Sequence, residues 1–337
     1  MYRHVNPGRS ILPLLLSREF PHAIAVAGKA SSRWGSNLGL FFDSYWGRPE
    51  NPILCWASFT ENEGLKNGDE PFCVLCVYSK PEAVAYDGNI DIRFYSSIEH
   101  KVNDLGTLEN NNLLFVRECL ESWSATFIET FKLFLPKRFF YLFGSFHSAL
   151  QPATREAFHI PSTEQFQPWI KYLLSSTNLP PIPECSLADI RVDTLFPQHF
   201  DLVLASSPIP RTKEYLSTRI SVSTALYSGN AKCREPIAFC ITAPDRSLST
   251  LWVDQSYRSV ALGKYVAHRR LTGEMGLLNP TADRDDRSKP AAAVAQGGNW
   301  SHADIAEDNI GSKKICEWLG GEPGWSVVWI RVPVTMK

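Results

Sequence analysis

The chain has no excess of charge of either sign: Lys and Arg number 34 against 35 Asp and Glu, a net charge of −1. Without a basic surplus there is no electrostatic reason to expect nucleic acid or an anionic membrane as a partner. Long apolar runs are missing too. Ile11 to Leu16, interrupted by Pro13, is shorter than a signal-peptide core, and nothing approaches the ~18 apolar residues of a membrane-spanning helix. The expectation is a soluble, cytoplasmic protein. Residues 1–18 contain no acid, which keeps a mitochondrial transit segment as the less favoured alternative.

A disulfide framework is not expected in so long a chain. The cysteines stand at 55, 73, 76, 119, 185, 233, 240 and 316, mostly inside apolar segments, as in a reducing compartment. Cys73 and Cys76 form a C-x-x-C, but within PFCVLCVYS, which reads as a strand, they point to opposite faces. No second pair of metal spacing exists, so no metal is expected.

What is present is an ordinary folded composition, 44% hydrophobic and 20% charged, over 337 residues, comfortable for two domains. The first half reads as strands around a turn at Gly47 to Pro52, further strands PFCVLCVYS and DIRFYSS, and one long helix. Leu113, Val116, Leu120, Trp123, Phe127, Phe131 and Leu135 recur at close to helical spacing, and the pattern stops at Pro136. FFYLFGSF follows as a buried strand. Residues 150–186 are dotted with proline, with a short helix expected near Phe166 to Leu174 and a linker at LPPIPEC.

The second half is organised around Leu251 to Ala267, LWVDQSYRSVALGKYVA. It reads as a short strand, Leu251 to Val253, a polar turn at Asp254-Gln255-Ser256, and a helix running on from Tyr257. Ala261 and Gly263, third and fifth after Arg258, let backbone approach a ligand. A helix N-terminus with uncommitted N–H groups, flanked by Arg258 and Lys264, suits phosphate; a plain structural turn is the alternative. REPIAFCITA and this strand form a hairpin across Pro244-Asp245-Arg246. Downstream, WSHADI reads as a buried strand, and IGSKKICEWLGG as a helix started by Glu307-Asp308-Asn309 and ended at Gly320-Gly321.

The two blocks together resemble the GNAT acyltransferase superfamily, whose R/Q-x-x-G-x-G/A loop holds the pyrophosphate of coenzyme A. Ala261 stands here for the middle glycine. The layout of the whole, with Asp43, Trp46 and REPIAF before the loop, is similar to the glycine N-acyltransferase-like branch, built of two GNAT-type halves. The resemblance implies an α/β fold (α+β mixed sheet), a tandem GNAT-like acyl-CoA N-acyltransferase fold with a degenerate N-terminal half. Residues 1–150 would be the degenerate domain, 151–185 the linker region and 186–337 the acyl-CoA-binding domain. Residues 273–299, an aperiodic stretch where the family has a short loop, are expected to be mobile, whether as a substrate lid, a solvated insertion or a misspliced gene segment.

Carried onto this chain, the resemblance implies acetyl-CoA or another acyl-CoA as donor and the amine of a small molecule as acceptor. The Leu251 N–H would polarise the thioester carbonyl, and Val253 would hold the pantetheine. Arg258 and the N–H groups of Ser259, Val260, Ala261, Leu262, Gly263 and Lys264 would hold pyrophosphate. Asn309 caps the next helix and, with Ser312 on its first turn, would touch the cofactor arm. The family's glutamate base, eleven residues before the arginine, is Ser247, and its tyrosine acid, seven residues after the asparagine, is Cys316. Substitutes are His302 as base with Asp304, two residues on and on the same strand face, orienting it; Asp245 is a second candidate base. Cys316 either donates to the thiolate or is a small core residue. The alternatives to amine acylation are decarboxylation, thioester hydrolysis, or a catalytically silent module that binds CoA or a partner. Oligomeric state is left open.

Overall fold

The computed structural model describes residues 1–4, 54–59, 70–77, 89–103, 106–175, 178–185, 187, 189–207, 211–229, 235–243, 245, 247–277 and 300–336. In chain order the first half contains β1 (Tyr2–His4), β2 (Leu54–Ala57), β3 (Cys73–Val77), β4 (Asn89–Ser96), α1 (Asn110–Phe131), β5 (Arg138–His147) and α2 (Gln151–Phe158). Then come β6 (Trp169–Ser175), β7 (Ile190–Asp193), α3 (Phe200–Ser206), α4 (Lys213–Ser217), β8 (Ser223–Ser228), β9 (Ala238–Thr242) and β10 (Leu248–Val253). The chain closes with α5 (Leu262–Leu277), β11 (Trp300–Ala306), α6 (Ile310–Trp318) and β12 (Glu322–Thr335).

Two compact units result. Among the described residues the first takes the chain up to Lys171 and again from Trp325; the second takes Tyr172–Gly324. In the first unit the strands lie in the order β1-β2-β3-β4-β5-β12. Neighbours are antiparallel except β4 and β5, which are parallel. Helix α1 covers one face because its apolar residues recur at helical spacing: Val116, Leu120, Trp123 and Phe127 are buried. Trp123 meets Trp56 edge-on at 6.2 Å and Tyr141 at 4.8 Å, so aromatic area supplies much of this core.

In the second unit β10-β9-β8-β7 form an antiparallel sheet buried on both faces. Ala238 and Cys240 pack with Leu262 and Val266 of α5 on one face. Phe239 and Ile241 pack with Phe200 and Val203 of α3 and Leu216 of α4 on the other. Strand alternation assigns successive β9 residues to opposite faces. β6 and β11 are hydrogen-bonded neighbours and lie outside this four-stranded sheet.

Three sequence expectations are corrected. The helix expected near Phe166 to Leu174 is strand β6, starting one residue after Pro168. Trp, Ile and Tyr suit a pleated surface, and a proline just before a strand interrupts no ladder bond, so the pairing outweighs the weak helical spacing. The helix expected from Tyr257 begins at Leu262, because Gln255–Tyr257 is a 3-10 turn and the loop after it turns left-handed. Residues 273–277 of the expected mobile insertion continue α5, and the rest of it lies outside the described residues. So do Asp43 and Trp46.

Candidate acyl-CoA site

The site is built where β10 and β11 meet. They touch through one parallel bridge, Ser247↔His302, and then belong to different sheets, β10 as the edge of its four strands. Asp254 N–H donates to the Ile237 carbonyl at 2.9 Å. Groups on one strand edge alternate, so Leu251 and Val253 turn their backbone away from β9, on the edge that carries the bridge to β11. Extended ligands can pair with backbone on a sheet edge of this kind.

The loop from β10 to α5 is shaped by its own side chains. Asp254 Oδ1 accepts from Ser256 N–H at 2.8 Å and starts the 3-10 turn. Arg258 is exposed, and its Nε donates to the Val253 carbonyl at 3.3 Å, tying loop to strand. Ser259 and Ala261 adopt left-handed φ of 73° and 61°. For an L residue other than glycine this costs about 1 kcal/mol. Ala261→Gly is therefore expected to stabilise the unit by about 1 kcal/mol, read as a rise of a few degrees in thermal melting. An unchanged melting temperature would show that the loop carries no such strain.

Tyr265 N–H makes the first bond into α5, to the Ala261 carbonyl at 3.0 Å. The N–H groups of Leu262, Gly263 and Lys264 thus precede the helix ladder and have no acceptor within it. The first turn of this 16-residue helix carries no acid, so its positive end is not neutralised by its own sequence. Gly263 has a role in helix packing. A Cβ there would come within 3.0 Å of Ile315 Cδ1 and 3.5 Å of Val253 Cγ2, so the missing side chain lets α5 close on α6. Lys264 holds its ammonium 5.0 Å from the Trp318 ring of α6.

Asn309 caps α6 as expected, its Oδ1 accepting from Ser312 N–H at 3.1 Å. Gly320, at φ 74°, ends the helix against the Asn178 carbonyl, where no side chain would fit.

The remaining candidates gather at the bridge. His302 is 0% exposed. Its Nε2 lies 3.3 Å from the Asp245 carbonyl oxygen, which only accepts, so Nε2 carries the ring proton. Its Nδ1 is 3.9 Å from Asp304 Oδ1. Asp245 is buried and accepts from Ser247 N–H at 3.1 Å and Ser247 Oγ at 2.7 Å. Ser247, eleven residues before Arg258, therefore joins Asp245 and His302 in one network; only its bridge to His302 reveals this. Cys316 is buried on α6, and burial pushes its thiol up to about 12, with Cys240 nearby adding to the effect. A thiol held that firmly protonated is a poor donor to a leaving thiolate of ordinary acidity. Its surroundings are those of a core residue.

No protein-family model matches the chain, and no curated protein matches it in sequence. Solved structures similar to it include a Drosophila protein at TM-score 0.58 and 12% identity, over 96% of this chain and 95% of that one. A GCN5-related N-acetyltransferase from Sphaerobacter thermophilus is similar at TM-score 0.43 and 13% identity, over 83% and 87%. A tandem GNAT protein from the clavulanic acid biosynthesis pathway is similar at TM-score 0.43 and 12% identity, over 97% and 94%. At 12% identity the likeness to the Drosophila protein concerns the fold alone. The strand order, the bridge between β10 and β11 and the strand-loop-helix after it make this a mixed α/β fold.

No helix among the described residues is long and apolar enough to cross a membrane. No group of three or more His, Cys, Asp and Glu side chains among them is placed to hold a metal ion.

Proposed function

We propose that the second unit binds acetyl-CoA or another acyl-CoA and transfers the acyl group to the amine of a small molecule, by direct attack in a ternary complex. The observation that carries this reading is the pair β10 and β11, joined at Ser247↔His302 but held in different sheets, with β10 leading into an acid-free helix N-terminus. The residues fit the donor. Arg258 and Lys264 bring positive charge, the N–H groups from Ser259 to Lys264 suit pyrophosphate, and Leu251 and Val253 offer backbone to an extended arm. Asn309 and Ser312 stand at the start of α6, where the arm would pass. The glycine N-acyltransferase-like branch is the part of the superfamily whose layout the chain follows, and that placement belongs to the same proposal.

CoA, when bound, supplies an activated acyl group as a thioester. The chain's own work is to polarise the carbonyl with the Leu251 N–H and to take the amine's proton. His302 is the base. Since its ring has no exposed surface, the proton reaches it through water and Asp304, whose side chain keeps 9% of its surface. Cys316 holds its proton too tightly to give it up at neutral pH, so Cys316→Ala is expected to keep turnover within a few-fold of wild type. A loss of a hundredfold or more in kcat would restore it as the acid.

A second reading is a catalytically silent CoA- or partner-binding module. It is favoured by Ser247 at the base position and by the complete burial of His302. Free-thiol release from a panel of acyl-CoAs, with and without pooled amines, separates the two in wild type, Arg258→Ala and His302→Gln. Amine-dependent release, weakened through KM by Arg258→Ala and through kcat by His302→Gln, is expected. Release that ignores amines would indicate hydrolysis or decarboxylation. CoA binding with no release would favour the silent module, and no CoA binding would end the donor assignment.

A further inference from the structure

The C-x-x-C of the first unit is not one site but the meeting of two. Cys73 turns toward α1, where its sulfur lies 3.4 Å from Ser96 Oγ and it hydrogen-bonds with Cys119. Cys76 turns to the opposite face, directly across from Cys55 of β2 in the antiparallel register, and the two sulfurs are 2.9 Å apart. Both residues are 0% exposed. Ser58 N–H donates to the Cys73 carbonyl at 3.0 Å. Counting back from that bonded pair, Ala57 and Val74 do not exchange bonds, Trp56 and Leu75 do, and Cys55 and Cys76 do not. Cα atoms of such a non-bonded pair are about 4.5 Å apart with the side chains close, inside the ~4.4–6.8 Å that a disulfide spans.

We propose that Cys55 and Cys76 are a redox modification site, a cross-strand dithiol that a peroxide converts to a disulfide. One thiol loses its proton, and the thiolate attacks a peroxide oxygen. The O–O bond breaks, and the departing hydroxide takes up a proton to leave as water. The resulting sulfenic acid is attacked by the second sulfur, which loses its own proton as the S–O bond breaks and a second water leaves. Two thiols and one hydrogen peroxide thus give one disulfide and two waters, with two electrons passing from sulfur to peroxide. Access comes through local opening: among the described residues β2 pairs on its outer edge with the three-residue β1, a short ladder that opens locally. The site is independent of the acyl-CoA reading.

The test uses the full chain. Folded protein is treated with hydrogen peroxide, remaining thiols are alkylated in denaturant, and the non-reduced digest is mapped by mass spectrometry. The expected product is one linked pair of peptides containing Cys55 and Cys76, lighter by two hydrogens and released by dithiothreitol. Cys73→Ala should keep the link and Cys55→Ala lose it. The oxidised wild type should also unfold at higher urea concentration than the reduced protein. Cys73 linked to Cys76 or to Cys119, sulfinic acid at Cys55 or Cys76 without a link, or unreacted Cys55 and Cys76 would each overturn the proposal. The wild-type map decides the question even where a variant does not fold.

Discussion

Ala261→Asp is expected to leave the protein as stable as wild type, or more stable, while weakening CoA binding by two or more orders of magnitude. The two effects have different origins. At φ 61° the position suits aspartate better than alanine, because a short polar side chain tolerates the left-handed region. A carboxylate just before Leu262 also complements the positive end of α5, worth about 0.3–1 kcal/mol. The same carboxylate would stand among the N–H groups proposed for pyrophosphate and repel it. Losing two charge-assisted bonds, at roughly 1.5–3 kcal/mol each, removes a factor of 100 or more in affinity. Calorimetric titration with CoA beside a thermal melt tests both signs together. Unimpaired CoA binding would remove the loop from the site. Ala261→Gly relaxes the loop without adding charge, so it is expected to raise the melting temperature and keep binding.

Alkaline pH is expected to unfold the second unit well before neutral-range chemistry would suggest. Burial raises Cys240 and Cys316 from the usual 9.0 to about 12 each. Tyr227, whose hydroxyl donates to the Thr194 carbonyl at 2.8 Å, is raised from 10.0 to about 12, chiefly by burial. These groups are neutral when protonated, so below pH 9 folded and unfolded chains hold the same protons and the stability is fully present. Above pH 9 the unfolded chain releases protons that the folded chain keeps, and stability falls until pH passes the folded values near 12. At pH 11 the two cysteines together account for a loss of about 4–6 kcal/mol, a large part of a typical domain's stability. Urea unfolding from pH 8 to 11 reads the slope, and Cys240→Ala with Cys316→Ala should flatten it. A pH-independent midpoint in the wild type would show that these thiols are solvated.

Much of the second unit was legible in the chain. The hairpin of β9 and β10, the loop with Arg258 and Gly263, β11 and the Asn309 cap all follow from local signals: a turn, a periodicity, a capping residue with its partner three positions on. α1 was legible for the same reason, since six apolar residues at helical spacing, Leu113 to Phe131, have one face to bury, although the helix ends at Phe131 and the pattern runs on to Leu135. β6 was not. Its alternation is weak, and what makes it a strand is a neighbour, β11, more than a hundred residues away. The start of α5 was misread by five residues, because nothing in QSYRSVA signals left-handed φ at a serine and an alanine.

By itself, then, the sequence determined the α/β class, the strand-turn-helix with Arg258 and Gly263 and the nearly neutral net charge, since each rests on residues adjacent in the chain or on composition. Only the tertiary structure decided which residues share a site. It brought Ser247 and Asp245 to His302, set Ile315 against Gly263, shut Cys316 into the core, and placed Cys76 directly across from Cys55. The physical reason is that strand register and helix packing are settled by burial between segments distant in sequence. Neither leaves a local mark on the residues it unites.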